Sequence, residues 1–282
     1  MTQQDQSYRS GNGRSGVLLI HSLSGSPTEM RFIANGLARE GYKVLCPELA
    51  GHGSRSADLG TTTWQDWYKS AEAALLELHD ECDTVVVAGL STGAVLSLLL
   101  GANHPGKVAG LALYSPTLWL NGRSIPWYAR LFPIIPTKPI ADIFRFPTPK
   151  DCGIKDARLR EFIKKATATG NGPCHVVIPG AAVIEHRWVA QAARAALPKV
   201  TQPVLILHPR DDNFAALNNA TYLQENLQVA VDLVVLDDCY HMVTVDRQRN
   251  VVLERTASFA ARIFGTIKDT IADAVPALAM AA

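Results

Sequence analysis

Six short apolar runs, at residues 17–20, 43–46, 84–88, 108–114, 204–208 and 231–236, are separated by longer segments of mixed polarity. Runs this rich in Val, Leu and Ile, without polar alternation, suit strands buried on both faces. Their spacing predicts an α/β chain built on a mostly parallel sheet of about six strands, with helices on either side. The intervening segments carry helix signals. Ser26, Pro27 and Glu29 read as a cap, a first-turn proline and a capping-box acid, and Gly41 reads as a left-handed stop. Thr63 to Asp66 opens a second helix that runs to about His79, and residues 251–264 form a last one.

The rhythm fails between residues 118 and 185. Eight prolines fall there, with Trp119, Trp127, Tyr128, Phe132, Phe144 and Phe146 clustered among them. So long a stretch exceeds an ordinary loop, which predicts an inserted, mostly helical cap subdomain. The expected organisation is a flexible tail over 1–15, a core over 16–117 and 186–266, the cap over 118–185 and a frayed end over 267–282.

Composition narrows the function. Of 282 residues 48% are hydrophobic and 19% charged, enough apolar material for a large core. The 27 basic and 26 acidic residues leave a net charge of +1, which offers nucleic acid no attractive field. No apolar run approaches the roughly 18 residues of a membrane span, so stable membrane insertion is not expected. The polar N-terminus lacks the apolar core of a secretory signal. Five dispersed cysteines without a CxxC pair argue against disulfides and zinc, and suit a reducing cytoplasm. Oligomeric state is left open.

The chemistry concentrates at Gly89-Leu90-Ser91-Thr92-Gly93, a G-x-S-x-G between the run at 84–88 and an apolar helical segment at 94–102. A serine in so tight a strand-to-helix turn stands clear of the sheet, and small residues two before and two after relieve the crowding. The helix start behind it presents amides and a positive dipole end to a developing oxyanion. Later in the chain, Asp211 and Asp212 follow one apolar run and His241 follows the last. The other histidines lack metal-ligand spacing.

With this elbow, His21-Ser22-Leu23-Ser24-Gly25, Gly51-His52-Gly53-Ser54, Asp212 and His241, the chain resembles the α/β-hydrolase superfamily from about Gly16 to Phe264. It is most similar to bacterial carboxylesterases and monoacylglycerol lipases with a small cap. The resemblance implies a nucleophile at Ser91, a base at His241, an orienting acid at Asp212 and oxyanion donors at the Leu23 and Thr92 amides. The family acid is the third residue after a strand-closing glycine whose place Pro209 takes, which selects Asp212 over Asp211. It also implies a small-molecule acyl ester as substrate, no cofactor, and cap residues such as Trp127, Phe132 and Phe144 lining an acyl pocket. Ser22, Ala94, Pro209 and Tyr240 depart from common family glycines. A thioesterase, an acyltransferase and a carbon–carbon hydrolase run on the same triad, and a non-catalytic binding protein uses the same fold.

Overall fold

The computed structural model describes residues 6–53, 59–126, 135, 137–147, 149, 151–168 and 177–279. The sheet holds seven strands: β1 (Tyr8–Ser10), β2 (Ser15–Ile20), β3 (Lys43–Cys46), β4 (Thr84–Leu90), β5 (Val108–Tyr114), β8 (Val204–Pro209) and β9 (Val231–Leu236). Their spatial order is β1-β3-β2-β4-β5-β8-β9, parallel throughout except for β1. This is the α/β-hydrolase fold. The six expected strands are all present, and the seventh corrects the expectation of a tail over 1–15. Tyr8, Arg9 and Ser10 pair antiparallel with Cys46, Leu45 and Val44, because β3 otherwise presents an open edge.

Alternate residues of each strand face opposite sides. On one side Val17 and Leu19 meet Ile33 and Leu37 of α1 (Arg31–Arg39) and Val252 and Phe259 of α8 (Arg249–Ala279). On the other, Leu18 and Ile20 meet Leu75 and Leu78 of α2 (Trp64–Glu81), Val95 and Leu99 of α3 (Thr92–Asn103) and Val189 of α6 (Gly180–Ala196). Both faces are thereby removed from water, and this burial is the main stabilising term. α3 is buried almost all round, as its uniformly apolar sequence requires.

The helix signals fare unequally. Thr63 and Asp66 form the reciprocal capping box that opens α2, and Gly41 takes a φ of +91° after α1. The Ser26 to Glu29 segment forms a 3₁₀ turn without a side-chain cap, and its glutamate bonds elsewhere. The last helix continues to Ala279, past the point at which fraying was expected.

Between β5 and α6 lie α4 (Lys138–Ala141), β6 (Arg145–Pro147), α5 (Ala157–Ala168) and β7 (Val177–Pro179), with β6 and β7 paired antiparallel. The described part of the cap region is therefore a mixture of short helices and a ribbon, rather than mostly helix. α6 begins at Gly180 and packs on α3, so it joins the core before the expected boundary at 186. α7 (Asn218–Asn226) packs near β9. Among the described residues no helix is long and apolar enough to cross a membrane.

The chain runs from β2 outward to β3, then returns to place β4 on the other side of β2. At such a reversal the connecting loops diverge and leave a crevice at the carboxyl ends of the strands. Every candidate site residue outside the cap lies at that edge.

Candidate active site

Ser91 joins β4 to α3 with φ 58° and ψ −113°, a conformation that L residues rarely adopt. Its amide is held by the Tyr114 carbonyl at 2.9 Å. The flanking glycines make the turn sterically possible. A Cβ on Gly93 would stand 2.2 Å from the Ile20 carbonyl oxygen, and one on Gly89 would stand 2.2 Å from the Gly93 carbonyl. Both obstacles are backbone, so neither can swing aside.

The loop after β9 brings His241 to the same edge. Its Nδ1 lies 2.8 Å and 3.0 Å from the two carboxylate oxygens of Asp212, in the loop after β8. Asp212 Oδ1 also accepts from the amides of Phe214 and Ala215, which fixes the carboxylate in its loop. Burial alone raises this carboxyl's pKa. The His241 charge and hydrogen bond, the His208 ring and the Ala215 amide outweigh burial and hold it below the usual value. Asp211 is exposed, and of the two neighbours it is Asp212 that pairs with His241. Asp237 and Asp238 sit at the surface, with Arg210 on the first and Lys155 and Arg247 on the second.

The Ser91 hydroxyl hydrogen-bonds Thr117 Oγ1 at 3.1 Å rather than His241. Thr117 Oγ1 donates to the Ser115 carbonyl, so the Ser91 hydroxyl is left as the donor of that pair. Ser115, with φ 44°, in turn donates to the His241 carbonyl at 2.7 Å. The segment after β5 thus braces both Ser91 and the loop that holds His241. Nothing in its sequence marked it.

A second brace comes from residues 151–156. Asp246, buried behind the histidine, accepts from the amides of Lys155, Asp156, Tyr240 and Arg247. The Met242 amide donates to the Gly153 carbonyl, and Gly153 has φ +69° where a Cβ would meet Phe214, Met242 and His241. Phe214 stands edge-on to the imidazole at 5.0 Å.

Leu23 follows β2, and Thr92 opens α3, where first-turn amides have no carbonyl within the helix. The loop holding Leu23 is tied down on two sides. The His21 ring spans the Ser22 carbonyl and the Leu49 amide, and so has its nitrogens engaged in structure. Glu29, fully buried, accepts from the Ser22 amide at 3.1 Å and the Ser22 hydroxyl at 3.0 Å. Burial pushes the Glu29 carboxyl up to about 7, against the opposing effect of these bonds and of His241. Ser22 therefore fills its departure from glycine with a hydroxyl that has a partner. Tyr240, another such departure, has the Arg123 guanidinium 4.5 Å above its ring.

Leu23, Ser91, Thr92 and His241 open into one cavity of about 100 Å³ beneath the cap, walled mainly by apolar side chains. Phe146, Ile178 and Val183 contribute to that wall. Phe144, which precedes β6, is 40% exposed and lies outside it. Trp127 and Phe132 lie outside the described residues. One polar wall residue has a spacing in the sequence that argues only against a metal site: His186 of α6, whose Nδ1 pairs with Thr92 Oγ1 at 2.9 Å. Burial and the nearby His241 lower its pKa to about 4, against a small opposing effect of the Thr117 main chain. Among the described residues no group of three His, Cys, Asp or Glu side chains is placed to hold a metal ion.

A strained serine at a helix start, beside a histidine seated on a buried aspartate, defines the serine-hydrolase class of the α/β-hydrolase fold. The chain belongs to the family described as "Serine aminopeptidase, S33", whose model matches residues 11–248. A thermostable monoacylglycerol lipase of Bacillus sp. strain H-257 is 27% identical over 255 residues, covering 90% of this chain and 93% of the lipase. A structure reported with the metagenome-derived lipolytic enzymes LipS and LipT superposes with TM-score 0.77 at 29% identity, covering 91% of this chain and 97% of the other. The monoacylglycerol lipase of Paleococcus ferrophilus shares the fold, with TM-score 0.78 at 16% identity, covering 92% and 99%.

Proposed function

We propose that the chain hydrolyses carboxylic esters through an acyl-enzyme on Ser91. The observation that carries this reading is the placement of Ser91 and the Asp212–His241 pair on a common apolar cavity. No carboxylate lines that cavity among the described residues. The ammonium group of a free peptide amino terminus would enter without a counter-charge, whereas an ester brings none. This favours esters over the peptides that the family's name suggests.

Ser91 Oγ attacks the acyl carbon while His241 Nε2 takes its proton. For this the hydroxyl turns from Thr117 toward the imidazole, a tightening expected once substrate is bound. Asp212 holds the Nδ1–H tautomer and stabilises the imidazolium that forms. The Leu23 and Thr92 amides receive the oxyanion, helped by the dipole of α3. His241 returns the proton to the leaving alcohol, and water, activated by the same base, frees the acid. These steps call on no cofactor.

The likeness to the Bacillus lipase and the apolar wall support short- to medium-chain acyl esters or monoacylglycerol-like substrates. A cytoplasmic setting is supported by cysteines Cys46, Cys82, Cys152 and Cys239, none of which is in a disulfide. The test is turnover of p-nitrophenyl esters of increasing chain length. Activity that disappears in Ser91→Ala is the expected result. A folded wild-type protein that turns over none of them, and resists a fluorophosphonate, supports the non-catalytic binding member instead.

A further inference from the structure

The reaction proposed above gives His186 no task, yet this imidazole lies in the cavity wall with Ser91, Thr92 and His241. It is 3% exposed and sits on α6 one turn from Val183 of the same wall. Thr92 Oγ1 anchors Nδ1, and Thr92 is also the residue whose amide is the proposed oxyanion donor. The ring is thereby held beside the position of the reacting ester. Its other nitrogen, Nε2, is buried and has no hydrogen-bond partner among the described residues. A buried polar atom left unpaired costs free energy, and an aliphatic side chain would fill this apolar wall without that cost. Such an exception calls for a partner, and a substrate bound in this cavity can supply one.

We propose that His186 Nε2 is a specificity-determining group that hydrogen-bonds a hydroxyl on the substrate near the ester, so that hydroxylated esters are preferred over alkyl esters of the same shape; this rests on the ester-hydrolase reading. The ring is neutral near neutral pH, so Nε2 either donates or accepts according to the direction of the Thr92 bond. A hydroxyl satisfies both cases, since it carries a proton and lone pairs, whereas a carbonyl satisfies only one. That makes a hydroxyl the chemistry this nitrogen selects. The hydroxyl belongs either to the acyl group or to the leaving alcohol, as in a glyceryl monoester.

Two matched pairs of substrates separate these sources. Methyl 3-hydroxybutanoate against methyl 3-methylbutanoate places the hydroxyl on the acyl side. Glyceryl monobutyrate against butyl butyrate places it on the alcohol side. In the wild type the hydroxylated member is favoured in at least one pair. In His186→Leu that ratio of kcat/KM values falls about tenfold, the worth of one neutral hydrogen bond. His186→Gln, which keeps a donor and an acceptor, restores part of it. Whichever pair responds identifies the side on which the hydroxyl lies. Ratios unchanged in both pairs, with both members falling together, make His186 a packing residue and overturn the proposal. Should His186→Leu fail to fold, the same ratios in His186→Gln and His186→Phe decide the matter, Phe losing what Gln keeps. Unchanged ratios in an enzyme active on p-nitrophenyl esters defeat this inference alone. A folded protein inactive on every ester defeats the reading beneath it.

Discussion

Glu29 makes the stability of this protein depend on pH in a direction opposite to most carboxylates. A salt-bridged acid has its pKa lowered by folding, so it stabilises the fold as pH rises. Glu29 has its pKa raised, from 4.5 to about 7, because its carboxyl is fully buried beneath the loop that holds Leu23. The folded state therefore binds this proton more tightly than the unfolded chain does. Stability is full below about pH 4.5, falls as pH rises toward 7 and levels off above. Each tenfold in proton affinity is worth about 1.4 kcal/mol, so the whole effect is about 3 kcal/mol. Between pH 5 and pH 8 about 2–3 kcal/mol of it is expressed.

Glu29→Gln isolates this contribution. Glutamine keeps the shape, accepts from the Ser22 amide and donates to the Ser22 hydroxyl, and does not titrate. Urea unfolding of both proteins at pH 5, 6, 7 and 8 gives the difference in stability at each pH. Other titrating groups are common to both proteins and cancel. One of them, His186, acts in the opposite sense: held near pKa 4, it weakens the fold as pH falls below the ordinary histidine value of 6.5. The variant should gain about 2–3 kcal/mol on wild type between pH 5 and pH 8. A difference that stays flat across that range would show that Glu29 is ionised throughout, with its charge compensated by the Ser22 loop. The buried-acid argument would then be wrong.

Asp212→Asn should lower kcat by about 10⁴, because the imidazole settles in the wrong tautomer, while Asp211→Asn stays within about tenfold of wild type. Steady-state kinetics on one p-nitrophenyl ester checks both, and a crippled Asp211 variant would refute the pairing described above. Gly93→Ala forces a Cβ against the Ile20 carbonyl, so a loss of about 1–3 kcal/mol in urea unfolding is expected, together with displacement of Ser91 and loss of turnover. In the cap, Phe146→Ala should alter the ratio of kcat/KM between short and longer acyl esters, and Phe144→Ala should leave it unchanged, since only the former lines the cavity. Equal effects of the two would place the acyl chain elsewhere.

The legible parts of this protein are those where local chemistry and global fold agree. Strand 204–209 is buried throughout and strand 84–90 at every residue but Thr84, so their sequences carry long apolar runs that announce themselves. The elbow is equally plain, since only glycine fits at positions 89 and 93. Glu29 shows the converse. By spacing it is a capping-box acid, but a tertiary partner, Ser22, outbids the helix start for its carboxylate. β1 was illegible because its three residues, Tyr8, Arg9 and Ser10, form no apolar run and their pairing with β3 is a main-chain ladder. The braces on Ser91 and His241, Ser115, Thr117, Gly153 and Asp246, act through hydrogen bonds between distant segments, which no local pattern encodes. His186 carries no spacing signal either, since its meaning comes from a cavity assembled by α3, α6 and the cap.

The central claim is that Ser91 carries the acyl group, and a fluorophosphonate tests it most directly. The wild-type protein, labelled and digested, should show by mass spectrometry a single phosphonyl adduct on the peptide containing Leu90-Ser91-Thr92, absent from Ser91→Ala. An adduct on any other residue, or labelling that persists in Ser91→Ala, would contradict the account.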